Sequence, residues 1–169
     1  MALAMTAENL PTTMTKPAEN IATVASEFGR LGVAEEGGLI TRLMWQAEDV
    51  GTRTDVLDEA IRQLEAYLAG RLEQFDLPLA MTGTDFQNSV YAAMLAIPFG
   101  HTRSYGDIAD ELGVPAQPVG QACGSNRIPI IIPCHRVVGR DGLGGFSGAG
   151  SVETKIKLLR MEGAYSLLL

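Results

Sequence analysis

The chain has 169 residues, enough for one domain or two small ones, and 46% of them are hydrophobic. Its formal charge of −7 argues against a uniformly basic nucleic-acid-binding protein. The acid is unevenly spread: residues 1–80 hold six Lys/Arg and thirteen Asp/Glu, whereas residues 81–169 hold seven of each, so the back part can face a polyanion, weakly driven and salt-sensitive.

Residues 1–20 carry Thr, Ala and Pro without a period and read as a loose N-terminal segment. Across residues 26–45, two apolar runs flank Glu35-Glu36-Gly37-Gly38, which signals a hairpin. Thr54-Asp55 then caps a helix whose Leu57, Ile61, Leu64 and Leu68 share one face, with Gly70 as its stop. Residues 71–83, containing Pro78 and Gly83, read as a connector between a domain over 21–80 and a second over 81–169.

The second part opens on a Thr84 or Asp85 cap. Phe86, Val90, Ala93 or Met94, and Ile97 make a helical stripe that Pro98 stops. Ser104 with Asp107 resembles a capping box, starting a short helix through Ile108, Ala109 and Leu112 that ends at Gly113. Pro115 to Cys123 reads as a second short helix, in which Pro118 is tolerable only within the first turn. Two short helices across a tight Gly-containing turn suggest helix-turn-helix. Ser151 caps a last helix, with Val152, Ile156 and Leu159 inward and Gly163 at its end.

Ile128-Pro129-Ile130-Ile131-Ile132-Pro133 is short, apolar and without alternation, which reads as buried extended chain leading into Cys134-His135. A thiolate is a strong, soft nucleophile and an imidazole can take its proton. A buried structural cysteine beside a chance histidine is the plain alternative. Adjacent side chains diverge in extended chain, so a helical turn or a bridging water is needed to bring His135 to the sulfur. With Cys123 the only other cysteine, no disulfide framework is suggested, and free thiols fit a reducing compartment. His101 and His135 lack metal-ligand spacing, so neither metal nor cofactor is expected. No apolar run reaches membrane-spanning length and no secretory-signal pattern is visible, so a cytoplasmic protein is expected.

Asn126 through Val138 reads NRIPIIIPCHRVV, followed by Phe146-Ser147-Gly148 and Leu158-Leu159-Arg160-Met161-Glu162-Gly163. Upstream stand Gly83-Thr84-Asp85-Phe86-Gln87, Ile97-Pro98-Phe99-Gly100 and Arg103-Ser104-Tyr105-Gly106. In this order the segments resemble the O6-alkylguanine-DNA alkyltransferase family, strongly from residue 83 onward and weakly from 26. The resemblance implies a ribonuclease-H-like α/β domain followed by a mainly α, winged-helix-like domain with the helix-turn-helix. It also implies stoichiometric, irreversible transfer of an alkyl group from O6-alkylguanine in DNA to Cys134, with O4-alkylthymine as a second candidate lesion. The partner is then double-stranded DNA, met through the minor groove by a monomer.

Family roles carry over residue by residue. Cys134 accepts the alkyl group, activated through Cys134–water–His135–Glu162. Tyr105 and Ser147 donate to the leaving guanine, backbone groups at Cys134 and Val137 read its exocyclic edge, Phe146 belongs to the substrate site, and Asn126 ties the recognition helix to the active-site strand. Ala116, Gln117 and Gly120 face DNA on the small-residue helix, flanked by Arg103 and Arg127. The smallness of that helix also suits a tightly packed core helix. The family usually carries an arginine where Gln117 stands, which puts intercalation and phosphate attraction in doubt. Two other classes are a lesion-binding relative without transfer, which would lack the cysteine, and a Cys-His hydrolase, which would need an oxyanion hole and would turn over.

Overall fold

The computed structural model describes residues 19–140, 142–143 and 152–164. Strands β1 (Asn20–Ser26), β2 (Gly29–Glu36) and β3 (Leu39–Met44) form an antiparallel sheet in the order β1-β2-β3. The hairpin expected at Glu35–Gly38 joins β2 to β3, and Gly37 and Gly38 take φ of 62° and 87°, the left-handed pair that a two-residue I′ turn requires. Strand β1 is an addition to that hairpin. It starts at Asn20, the last residue of the segment read as loose, whose side-chain amide donates to Glu35 Oε2 at 3.1 Å.

Helix α1 (Asp55–Leu68) packs on this sheet through Leu57, Ala60, Ile61, Leu64 and Tyr67. Thr54 caps it by accepting from Leu57 N, and Gly70 at φ 75° closes it. Gly70 N–H reaches Tyr67 O at 3.0 Å and Arg71 N–H reaches Ala66 O at 2.7 Å, a Schellman ending. The connector is tied to β3: Ile40 N–H donates to Pro78 O, and Ala80 N–H donates to Ile40 O, both at 2.8 Å. Leu43 N–H of β3 donates to Arg127 O at 2.9 Å, and one hydrophobic core runs through both halves.

In the second half, α2 (Asp85–Leu95) and α3 (Tyr105–Leu112) start on the expected caps, each as a full capping box: Thr84 with Gln87, and Ser104 with Asp107. Gly113, at φ 70°, turns the chain into α4 (Ala116–Gly124), where Pro118 occupies the third position and therefore removes no helical hydrogen bond. A short parallel ladder pairs β4 (Arg103–Ser104) with β5 (Val137–Val138), holding the start of α3 against the chain just after Cys134. Helix α5 (Val152–Met161) closes the fold; Ser151 lies outside the described residues.

Two expectations are corrected. The run Ile128–Ile132 is buried but not extended. It folds into turns, with Ile132 N–H on Ile128 O at 2.9 Å and Ile130 at φ 73°. Pro129 and Pro133 lack the donors a ladder needs, while Asn126 clamps the turn by accepting from Ile128 N–H and donating to Ile132 O. The apolar run therefore reported burial rather than conformation. On α5, Leu159 points inward as expected, but the rest of the buried face is Thr154, Lys155 and Leu158, and Val152 is 40% exposed. Lys155 is buried because its ammonium finds polar partners, which an apolar-periodicity reading discounts.

Replacing Gly38 by Val is expected to lower stability by about 1–2 kcal/mol, read as a fall in Tm, because L side chains resist positive φ. Nothing lies within 4 Å of the added Cβ, so the loss is conformational, and Gly38→Asn should lose less. Equal losses would contradict it.

Candidate active site

Pro133 ends the turn-rich segment, and Cys134–Arg136 follows as a single 3-10 turn. Cys134 and His135 therefore sit on one 3-10 turn rather than in extended chain. Cys134 is 9% exposed and His135 fully buried. His135 Nε2 lies 2.7 Å from Glu162 Oε2, just beyond α5. An ionised carboxylate only accepts, so Nε2 carries the proton and Nδ1 keeps its lone pair. Among the described residues Nδ1 is buried without a hydrogen-bond partner, the arrangement of a base ready to receive a proton.

Glu162 is the junction of the site. It accepts from Arg136 Nε on Oε1 at 2.8 Å, and from Arg136 Nη2 on Oε2 at 3.0 Å. The Tyr67 hydroxyl donates to Oε2 at 2.6 Å. Burial alone would push this carboxyl up, but the donors on His135 and Arg136 hold it down at about 2. His135 is moved down, chiefly by burial and against the pull of Glu162, so it is neutral at rest. Arg136, read from sequence as an ion-pairing residue, is one: it also donates to Ile97 O at 2.7 Å and lies 5.9 Å over the Phe99 ring.

Burial raises the Cys134 thiol, opposed by a hydrogen bond from Asn126 and by the Lys155 ammonium. Lys155 is fully buried, donates to Val137 O at 2.6 Å, and stands 5.8 Å over the Tyr105 ring. Burial brings its pKa down to about 8, against the pull of Cys134 and Cys123. Tyr105, at the start of α3, is pushed up to about 12 by burial and then by the two thiols, so its hydroxyl stays a donor. Cys123 is raised to about 12, mainly by burial, and sits 3.8 Å from Met94 Sδ, a packed and unreactive thiol. Thus Cys134, His135, Glu162, Tyr105, Asn126 and Val137 converge. Ser147 and Phe146 lie outside the described residues.

The expected DNA-facing residues form a separate exposed face. Ala116 and Gln117 are exposed and Gly120 is half-exposed, while Val119, Ala122 and Cys123 form the buried side of α4. An added Cβ at Gly120 or Gly124 would meet nothing within 4 Å, so internal packing does not explain their smallness. Arg127 is exposed next to this helix. Arg103 is half-buried and engaged, with Nη1 on Glu111 Oε1 at 2.8 Å. Among the described residues no group of three or more His, Cys, Asp or Glu could hold a metal ion.

Sequence reasoning missed Lys155 and Tyr67. Lys155 carried a signal: it precedes Glu162 by seven positions, two helical turns, on the face that also holds Leu158 and Leu159. Tyr67 carried none, because its partner stands 95 positions away.

A cysteine beside a buried His–Glu pair, next to a helix-turn-helix, fits the class of proteins that act chemically on nucleic acid. Comparison gives the same answer. Residues 21–81 match the family described as 6-O-methylguanine DNA methyltransferase, ribonuclease-like domain, and residues 85–164 match its DNA binding domain. The chain is 44% identical over 150 residues to the methylated-DNA–protein-cysteine methyltransferase of Mycobacterium bovis, covering 83% of this chain and 90% of that one. It is 41% identical over 154 residues to the constitutive enzyme of Bacillus subtilis, covering 83% and 93%. The crystal structure of the Mycobacterium tuberculosis O6-methylguanine methyltransferase superposes with a TM-score of 0.77 at 39% identity, over 88% of this chain and 94% of that one. The M. tuberculosis OGT in complex with DNA gives 0.74 at 42% identity, over 86% and 93%. The chain belongs to the methylated-DNA–protein-cysteine methyltransferase family, and is a DNA-repair alkyltransferase.

The buried pair sets an acid slope. Glu162, depressed from 4.5 to about 2, contributes stability that is present above pH 4.5 and lost as pH falls toward 2. His135, depressed below 6.5, adds loss in the same direction as pH falls below 6.5, because the unfolded chain takes the proton first. Chemical unfolding between pH 7 and 3 is expected to show falling stability, with a shallower slope in Glu162→Gln; parallel slopes would count against a carboxylate anchored in this way.

Proposed function

We propose that this chain removes the alkyl group of O6-alkylguanine in duplex DNA by transfer to Cys134, once per molecule. The observation that carries the reading is His135, with Nε2 held on Glu162 and Nδ1 buried and bare on the same turn as the thiol. The thiol proton passes to Nδ1, through a bridging water, and the sulfur attacks the alkyl carbon in line. The C–O bond breaks as the C–S bond forms, and the departing guanine anion recovers a proton. A thioether resists hydrolysis and no group in the site reverses it, so turnover stops at one.

Charge growing on the base needs donors already in place. Tyr105 keeps its proton and lies near the thiol, which suits a hydrogen bond to ring N3. Ser147 suits O6, Phe146 and Val137 suit the walls of the base site, and Asn126 suits the hinge. A base in a duplex must be extruded to reach a buried thiol. The exposed ridge of Ala116, Gln117 and Gly120 fits a minor groove about 6 Å wide, with Arg127 beside it and Arg103 contributing mainly to the local fold.

Incubation with a duplex carrying O6-methylguanine, followed by intact-mass measurement, tests the reading. One methyl group on Cys134 and none on Cys134→Ser is expected, with binding retained by the variant. Retained binding without an adduct on the native chain would replace this reading with a lesion-binding protein, and repeated turnover of an ester or peptide with a hydrolase.

Gln117→Arg is expected to strengthen duplex binding, because a guanidinium can fill the vacated base position and offset part of the few kcal/mol that flipping costs. The salt slope of binding should steepen by about one unit. Alkylation of Cys134 by iodoacetamide should be unchanged. If duplex affinity does not move, Gln117 does not occupy the intercalating position.

A further inference from the structure

We propose that Tyr67, on α1 of the N-terminal half, is a positioning residue of the active site, whose hydroxyl sets how strongly Glu162 pulls on His135. The inference rests on the relay described above. Tyr67 Oη donates to Glu162 Oε2 at 2.6 Å, and His135 Nε2 donates to the same oxygen at 2.7 Å. Arg136 Nη2 reaches it too, at 3.0 Å, so three donors on one oxygen compete for its charge. What Tyr67 draws off is withheld from the imidazole.

The rest of the surroundings fix this geometry. The Tyr67 ring is 1% exposed, packed at 5.3 Å against Phe75 and edge-on at 6.3 Å to Phe99. A phenylalanine would satisfy that packing, so the hydroxyl is there for the carboxylate. Burial, and then the Glu162 charge, raise the Tyr67 pKa far above 10, so it remains a donor throughout. The charged and titratable groups facing the pair are Tyr67 from α1, Cys134 and Arg136 from the 3-10 turn, and Lys155 from α5. Arg136 keeps its two bonds to Glu162 when the tyrosine hydroxyl is removed, so the carboxylate stays ionised and in place.

The sign follows. Without the phenolic donor, more charge on Oε2 is available to His135, the imidazolium is stabilised, and the histidine pKa rises. Neutral His135 is the active base, so the acid limb of the rate profile moves to higher pH. In Tyr67→Phe, single-turnover transfer from O6-methylguanine duplex at saturating protein should show that limb raised by about 0.5–1 unit, the scale of one hydrogen bond. Iodoacetamide alkylation of Cys134, located by peptide mass, should shift in parallel, and duplex Kd should hold.

A purely structural role predicts otherwise. Phe75→Leu loosens the same ring, and should lower Tm without moving the limb. Placing 3-fluorotyrosine at 67 makes a more acidic donor and should move the limb down. It also decides the matter should Tyr67→Phe not fold: an unmoved limb in the fluorinated protein overturns the inference. A limb moved by Glu162→Gln but not by either Tyr67 replacement removes Tyr67 alone; a limb moved by none of them removes the relay.

Discussion

A carboxylate out of water is the constraint on which the rest of this structure depends. Glu162 is 5% exposed, and an unpaired buried charge would cost several kcal/mol. Its compensation comes from two other places in the chain, Tyr67 on α1 and His135 with Arg136 on the 3-10 turn, while Glu162 itself stands just past α5. These segments must meet before the charge is tolerable. That requirement ties the sheet-and-helix half to the helical half, consistent with one core running through both and with Leu43 bonding to Arg127 across the seam. The division of donors matters as much as their number. Arg136 supplies the full positive charge, so His135 can remain neutral and still be held by its Nε2–H.

The thiol is governed by the same economy. Burial keeps Cys134 protonated, opposed by the Asn126 amide, the Lys155 ammonium and a backbone hydrogen bond at Cys134 itself. Such a site holds little thiolate at rest. Tyr105, with a pKa near 12, cannot discharge that role by losing its own proton. It serves as a donor, and Lys155 above its ring keeps the surroundings positive without displacing it.

Local chemistry was legible in the sequence. Caps at Thr54, at Thr84 or Asp85 and at Ser104, the hairpin glycines 37 and 38, the helix stops at Gly70 and Gly113, and the tolerance of Pro118 in a first turn depend on neighbours within four residues; the structure has them there, with Thr84 as the second cap and the four glycines left-handed. The Cys134–Arg136 turn was one of two ways, with a bridging water the other, that an extended Cys-His pair pointing apart left open. What failed was conformation inside a uniformly apolar run. Ile128–Ile132 has no alternation to distinguish strand from turn, and the decisive partner, Asn126, acts through its side chain. Contacts such as Tyr67–Glu162 were beyond reach because no pattern in one chain pairs residues 95 apart.

The exposed side of α4 shows how a neutral half-molecule can address DNA. Arg103 is already engaged by Glu111, so the long cations free to meet phosphate are few on this face, and the front half carries all the excess negative charge. Attraction at a distance is therefore weak, and what there is of it is salt-sensitive. What the face offers instead is shape. Gly120 and Gly124 are small although nothing inside the protein crowds them, leaving a ridge thin enough for close backbone approach. A flat, uncharged ridge gains most where the duplex is already easy to open. Under the proposed function, α4 governs access to the base while the Glu162 network governs reaction.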